Sequence, residues 1–252
     1  VMLEDLKEKG HPVIRVKSNH EQIRLDYGKG VGFSTDFAVG TMIILLADFY
    51  SINGVAYGMP LENSYLFHGH QGRDFERSWY WIHHRTIFKK AGLDLILPTA
   101  GISELINLKI SEQTENGRFA QSCLRSKISG EVCGICWKCF RKNSLRGEPV
   151  NLSKEVISFL SKQPLKQAAS TIYAIQKLPL LSQDLIERFP HLEEILDIDV
   201  DWLNRYHPKA PNFIPKYMRT QYIKKLSDVS EPMSNDEVNR LQNLAIYNQK
   251  EE

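Results

Sequence analysis

Four cysteines, Cys123, Cys133, Cys136 and Cys139, are all the cysteines of a 252-residue chain, and the last three recur at every third position. Thiolates spaced Cys-x2-Cys can be aimed at one centre, and four of them complete the tetrahedral sulfur shell of a closed zinc site. The pattern is therefore read as one structural zinc centre. Two other chemistries use the same atoms. Disulfide pairing belongs to small secreted domains that cannot build a core, and a chain of this length has no such need. An iron–sulfur cluster is the closer rival, because bacterial ferredoxins carry Cys-x2-Cys-x2-Cys followed by x3-Cys-Pro. Here the residue after that gap is Asn143, and the fourth cysteine lies upstream.

The charge around the cysteines is one-sided. Arg118, Arg125, Lys127, Lys138, Arg141, Lys142 and Arg146 face a single acid, Glu131. Four thiolates on a divalent ion leave a net negative site, which such cations would neutralise. The same surface would equally meet an anionic ligand, a nucleotide phosphate or an RNA backbone.

Two further stretches carry residues suited to ligand recognition. Gly28-Lys29-Gly30-Val31-Gly32 precedes Ser34-Thr35-Asp36, which is placed to cap a helix. Backbone N–H groups at such a start can cradle phosphate, and Thr35 and Asp36 would orient nucleotide or substrate. The spacing matches neither the dinucleotide fingerprint nor the Walker pattern, so a plain flexible loop is the competing reading. Met59 to Arg73 is predicted to be a loop after a strand, at the sheet edge where α/β proteins bind ligands. There Glu62, Asn63, Arg73 and the adjacent Asp74 could contact a substrate or nucleotide, or serve as solvated loop and capping residues. His68 and His70 are expected to face solvent, and Trp79-Tyr80-Trp81 to pack in the core rather than stack on bases.

The elements that would position these groups alternate. Val1 to Lys9 has helical spacing and is stopped by Gly10; it lacks an N-cap, and a missing upstream part is expected. His11 to Lys17 alternates like a strand, and Phe37 to Ile52 forms an apolar, buried helix. A strand at Val55 to Gly58, a helix from Asp74 to Ala91, a strand at Leu93 to Leu97 and a helix from Ser103 follow. This predicts an α/β layer over residues 1–149 with the zinc motif at 123–139. Beyond Pro149, repeated prolines and helical patterns predict an all-α extension over 150–252, closed by a helix from Asn235 to Gln249 and suited to docking a protein partner. A hydrophobic content of 42% suffices for a core, and a net charge of +2 argues against wholesale coating by nucleic acid. The longest apolar run, Phe37 to Tyr50, is interrupted by Asp48 and too short to span a bilayer. A soluble protein with free thiols fits a reducing cytoplasm; a homodimer is compatible with the pattern.

The element order, and above all Ser122-Cys123 followed by Cys133-Gly134-Ile135-Cys136-Trp137-Lys138-Cys139-Phe140-Arg141, resembles the 7-cyano-7-deazaguanine synthase family of PP-loop ATP pyrophosphatases. Pro98-Thr99 and Val55-Ala56-Tyr57-Gly58 add weaker support, and the likeness covers residues 1–147. It implies a parallel-sheet HUP-type fold, structural Zn2+, and ATP with Mg2+ as co-substrate. The implied chemistry is adenylation of a carboxylate on a deazaguanine-type substrate, in nucleic-acid modification or anti-phage defence. The family's Ser-Gly-Gly-x-Asp-Ser phosphate loop is absent, since the sequence contains no Gly-Gly, and Phe33-Ser34-Thr35-Asp36-Phe37 stands where the family has Pro-Gly-Arg-Asn. The loop is therefore expected upstream of Val1, and this chain alone is expected to be inactive. Two other functions fit the residues: a zinc-stabilised module that binds nucleic acid or protein without catalysis, and a PP-loop tRNA sulfur-transfer enzyme.

Overall fold

A computed structural model describes residues 2–17, 19, 22, 26–28, 41–117, 123, 126, 128 and 131–247. In chain order its first elements are α1 (Met2–Glu8), α2 (Thr41–Leu45), β1 (Gly54–Ala56), α3 (Leu61–Ser64), β2 (Leu66–Phe67), β3 (Gln71–Gly72), α4 (Trp79–Lys90), β4 (Asp94–Ile96), α5 (Glu104–Glu112) and α6 (Trp137–Arg146). Then come α7 (Lys154–Leu160), α8 (Ala168–Gln176), α9 (Pro179–Arg188), α10 (Glu193–Leu196), α11 (Arg219–Ser227) and α12 (Asn235–Gln242), with short 3-10 turns between them. The chain forms two compact units: Val1–Tyr57 with Trp79–Leu97, and Gly58–Ser78 with Pro98–Glu252.

In the first unit β1 and β4 run parallel, with Val55 opposite Leu95. Both are buried, so this short sheet is read by its central residues. Parallel strands need a crossover, and α4 enters β4 through one tight turn. Gly92 (φ +75) turns the chain, its N–H bonding Lys89 O, while the Leu93 N–H bonds Phe88 O. Trp81 and Phe88 are the buried side chains of α4, and Phe88 meets Tyr57 edge to face.

The second unit is mostly helical. Every residue of α8 from Ala168 to Ile175 is buried, as expected for a helix that is apolar on all sides. It packs on α6, α9 and α10. Ser103 caps α5 through the Ile106 N–H and donates its hydroxyl to Leu203 O. Ile102 and Ile106 join Tyr206, Ala210 and Leu226 in one core cluster. A second aromatic group stacks Tyr65 on His207 at 3.9 Å, with Phe75 and Phe213 around Tyr65. Burial holds the His207 imidazole neutral, lowering its pKa to about 4.

The mixed α/β character predicted from sequence is present, with a two-stranded parallel sheet. Several boundaries differ from expectation. Residues 11–17 form no strand: Ile14 and Val16 are exposed, and alternation without a neighbouring edge makes no ladder. The helix expected to run to Ile52 ends at Leu45 and continues in turns closed by Ser51 at φ 52, leaving Leu45 and Phe49 exposed; positions 37–40 lie outside the described residues. The loop expected from Met59 to Arg73 contains α3 and the antiparallel pair β2–β3, reversed at His68 and Gly69, both with positive φ. Asp74 caps a 3-10 turn over Phe75–Arg77, so α4 starts only at Trp79. The last helix stops at Gln242, because Ala245 bridges to Gln71 instead.

The division of the chain also falls elsewhere than at 149–150. Residues 150–252 share a unit with 58–78 and 98–149 because α8 packs on α6, Arg141 donates to Ser170 Oγ at 2.7 Å, and Trp137 stacks on Phe159 at 5.1 Å. No helix of the described residues is long and apolar enough to cross a membrane.

Gly72 marks a close backbone approach in this unit, between β3 and the end of α12. A Cβ there would lie 2.1 Å from Leu241 O, while the Gly72 N–H bonds Leu244 O at 2.8 Å. Gly72→Ala is expected to lower the unfolding free energy by about 1–3 kcal/mol in a denaturant titration, with an unchanged far-ultraviolet spectrum.

Candidate metal centre

The cysteine site is built from a turn and a helix start. Gly134 takes the left-handed region (φ 70), which folds the chain back between Cys133 and Cys136. Cys136 is the extended N-cap of α6, its carbonyl accepting the Phe140 N–H at 2.9 Å, and Cys139 sits in the first helical turn. One turn of helix thus brings the second pair of thiols together. Cys123 arrives from outside the helix and accepts the Cys133 N–H on its sulfur at 3.3 Å. All four sulfurs lie within 4.8 Å of one another. Cys136 and Cys139 are 3.5 Å apart, and Cys133 and Cys139 are 3.8 Å apart. A disulfide requires about 2.05 Å, so all four are free thiols. The group can hold a metal ion, and it is the one such cluster found among the described residues.

Its protonation chemistry points the same way. Cys136 and Cys139 are each 3% exposed. Burial raises both thiols, Cys139 to about 12, with the neighbouring Cys136 adding to the rise. In the absence of a metal these are buried neutral thiols. A cation that binds sulfur must displace their protons, so its affinity falls as pH falls.

The arginine of the motif does not face the thiols. Arg141 is 3% exposed, pairs with the Glu104 carboxylate at 2.8 Å, donates to Ser170 Oγ and lies over the Trp137 ring. Glu62 belongs to the same buried group: its two oxygens accept the Glu104 N–H at 2.9 and 3.1 Å, capping the start of α5. Glu104 thus pairs with Arg141 through its side chain and with Glu62 through its backbone N–H. Burial first, and the charge of Glu104 second, raise Glu62 from the usual 4.5 to about 7. On the other face of α6, Lys138, Lys142 and Arg146 line a shallow cleft with Cys123 and Cys139, with room for about one water. Arg146 is paired with Glu112, and burial lowers the pKa of Lys142.

The residues singled out in the sequence separate into three groups. The four cysteines converge. Glu62, Asn63, Arg73 and Asp74 lie close in the chain but point to different tasks: Glu62 of α3 is buried against the start of α5, while the Arg73 guanidinium donates to the backbone oxygens of Ser64 and Asn63. Asp74 accepts the Glu76 N–H and pairs with Arg77 at 3.5 Å. Thr35, Asp36 and Arg125 lie outside the described residues, as do Arg118 and Lys127. Of the two histidines expected to face solvent, His68 is exposed but His70 is half-buried against Tyr247, and of the two tryptophans Trp81 is buried whereas Trp79 is exposed and stacks on His83. Sequence reading missed Glu104 and His207. Glu104 follows a serine cap at a helix start, an N-terminal acid pattern that says nothing about a distant arginine.

Residues 83–245 match the model of DUF6395, described as a family of unknown function. The chain belongs to DUF6395. The DUF6395 match runs from within α4 through the cysteine cluster to Ala245, so the thiols and the tail helices fall within one family region. No curated protein and no solved structure matches the chain.

Two outcomes follow from the geometry. A metal held by the thiols would fasten α6: its chelation, or Cys139→Ser, is expected to lower thermal stability and loosen α6, seen as faster amide exchange over residues 137–146. For Glu62 the folded pKa lies above the unfolded value, so the unfolded chain binds fewer protons between pH 4.5 and 7. Its contribution, on the order of 3 kcal/mol at most, is present below pH 4.5 and lost as pH rises through 7. Glu62→Gln should flatten that part of the stability profile, whereas a slope identical to the parent's would remove Glu62 as its source.

Proposed function

We propose that the four cysteines hold one structural zinc ion and that the protein is a divergent PP-loop ATP pyrophosphatase of the 7-cyano-7-deazaguanine synthase type. The observation that carries the reading is the convergence of the four thiols at the spacing that the resemblance singles out. Tetrahedral zinc–sulfur bonds of about 2.3 Å place sulfurs about 3.8 Å apart. The separations of 3.5 and 3.8 Å fit that shell. The donor set is closed, so the ion would stabilise the fold and leave no position for a substrate.

The wider reading draws on two features. The chain has a parallel strand pair, β1 and β4. The segments that follow those strands in sequence are bound to each other, Met59 N–H to Thr99 Oγ1 at 2.6 Å and Leu61 N–H to Ile102 O at 2.8 Å. Such segments carry ligands in layered α/β proteins. The proposed reaction joins a substrate carboxylate oxygen to the α-phosphorus of ATP with release of pyrophosphate, after which an amine attacks the acyl carbon and AMP leaves. ATP would enter with Mg2+, and the carboxylate would belong to a deazaguanine-type base. Thr35 and Asp36 would act on nucleotide or substrate, together with the exposed Asn63 of α3 and the exposed cap Asp74.

A non-catalytic, zinc-stabilised binding module is the second reading, supported by the Lys138, Lys142 and Arg146 face beside the thiols. The native full-length protein decides between them. One zinc per chain, a colourless solution and ATP-dependent pyrophosphate release with a 7-carboxy-7-deazaguanine are expected, and Asp36→Ala should abolish release while zinc content stays unchanged. A brown protein absorbing in the visible would replace zinc by an iron–sulfur cluster and favour sulfur transfer. A zinc protein that neither binds ATP nor releases pyrophosphate leaves the binding module standing.

A further inference from the structure

Between Asp201 and Asp228 the sequence contains no acidic residue and six cations, Arg205, Lys209, Lys216, Arg219, Lys224 and Lys225, in a chain whose net charge is only +2. The structure divides them. Arg205 pairs with Glu231 and Glu237, and Lys209 pairs with Glu76 at 2.7 Å, so these two are held internally. The Arg219 guanidinium donates to Ile214 O at 3.0 Å, which braces the turn ahead of α11. Lys216, Lys224 and Lys225 have no carboxylate partner among the described residues, and all three are exposed.

The same segment displays an aromatic ring that folding leaves outside. Tyr217 is 79% exposed, and Met218 and Ile223 beside it are 40% exposed. This is not a loosely held segment. The 3-10 turn Lys216–Met218 leads directly into α11, and the Met218 N–H bonds Pro215 O at 2.9 Å. The opposite face of α11 is anchored by Leu226 in the core and by the Tyr222 hydroxyl, which donates to Pro98 O at 2.8 Å. Lys224 and Lys225 also suit the last turn of a helix, whose dipole favours cations there. That preference accounts for the two lysines but not for the exposed tyrosine about two turns earlier, nor for Lys216 next to it.

We propose that Lys216, Tyr217, Lys224 and Lys225 form a docking surface for a single-stranded polynucleotide. An exposed ring on a rigid turn supplies a stacking platform for one base, and lysines on either side supply phosphate contacts. This combination favours an unpaired strand over a duplex, whose bases are already stacked. It also favours a strand over a lipid surface, where a tyrosine flanked by only three free cations and no deep apolar face gives little insertion. The surface reads neither base edges nor the 2′-hydroxyl, so RNA and DNA strands should bind alike. The inference stands apart from the ATP-dependent reaction proposed above, and neither requires the other.

Fluorescence anisotropy with labelled oligouridylate, its deoxy counterpart and a duplex of equal length tests it on the native protein. Expected is binding of both single strands within a few-fold of each other and more weakly to the duplex, with a salt dependence of about −0.7 in log K per log salt for each phosphate held. Lys224→Glu with Lys225→Glu should lower affinity at least tenfold and flatten that slope by about 1.4. Tyr217→Ala should lower affinity about 5- to 150-fold with the slope unchanged, which separates stacking from charge. All three side chains are exposed, so thermal midpoint and metal content should match the parent and show that the variants fold. Single-strand affinity unaltered by these changes, duplex binding as tight as single-strand binding, or capture only by phosphatidylserine vesicles would overturn the proposal.

Discussion

The second unit depends on one charge pair, the buried Arg141 on the half-buried Glu104. The guanidinium gains little from the pair on its own, because taking it out of water costs several kcal/mol before the attraction is counted. The pair persists because its surroundings complete it. Ser170 of α8 accepts from Arg141, the Trp137 ring lies against the guanidinium, and Glu62 of α3 holds the Glu104 backbone. Four helices therefore meet on three charged groups. Removing one partner would leave the others buried and uncompensated, which is a stronger constraint than any single apolar contact in the same place.

That constraint also explains where the thiols sit. Arg141 lies two positions after Cys139 on α6, so the turn of helix that carries two of the sulfurs is the turn whose inner face is fastened to α5 and α8. A metal at the thiols would secure the outer side of the same helix start. A metal there and the ion pair would act on opposite faces of one short helix, which is how a site with no open coordination position would still matter to the fold. The Gln71–Ala245 bridge and the Gly72 bond to Leu244 then return the end of the tail to the β2–β3 pair.

Much of the local structure was legible in the chain. Ser103, Ser153 and Ser234 are serines placed to accept a backbone N–H at a helix start, and each does so. Gly92, Gly134 and Gly147 mark places where the backbone turns left-handed. The two short parallel strands were found because Val55 and Leu95 sit in apolar runs bounded by glycine and proline. What misled were patterns with nothing to pack on. Residues 11–17 alternate like a strand and residues 46–50 are apolar like a helix core, yet both lie largely exposed, because periodicity states what a segment could bury and not whether a partner is near.

By itself, the sequence determined the cysteine cluster, the mixed α/β class and the starts of α1, α5 and α12, because each of these follows from residues within a few positions of one another. Only the tertiary structure decided that Arg141 belongs to Glu104 rather than to a ligand, that Glu62 is a buried cap with a raised pKa, and that the tail helices share a unit with the cysteines. Those facts join residues separated by tens of positions along the chain. Nothing local marks such partners: the same arginine, glutamate or apolar helix would serve on a surface, and burial alone makes them depend on each other.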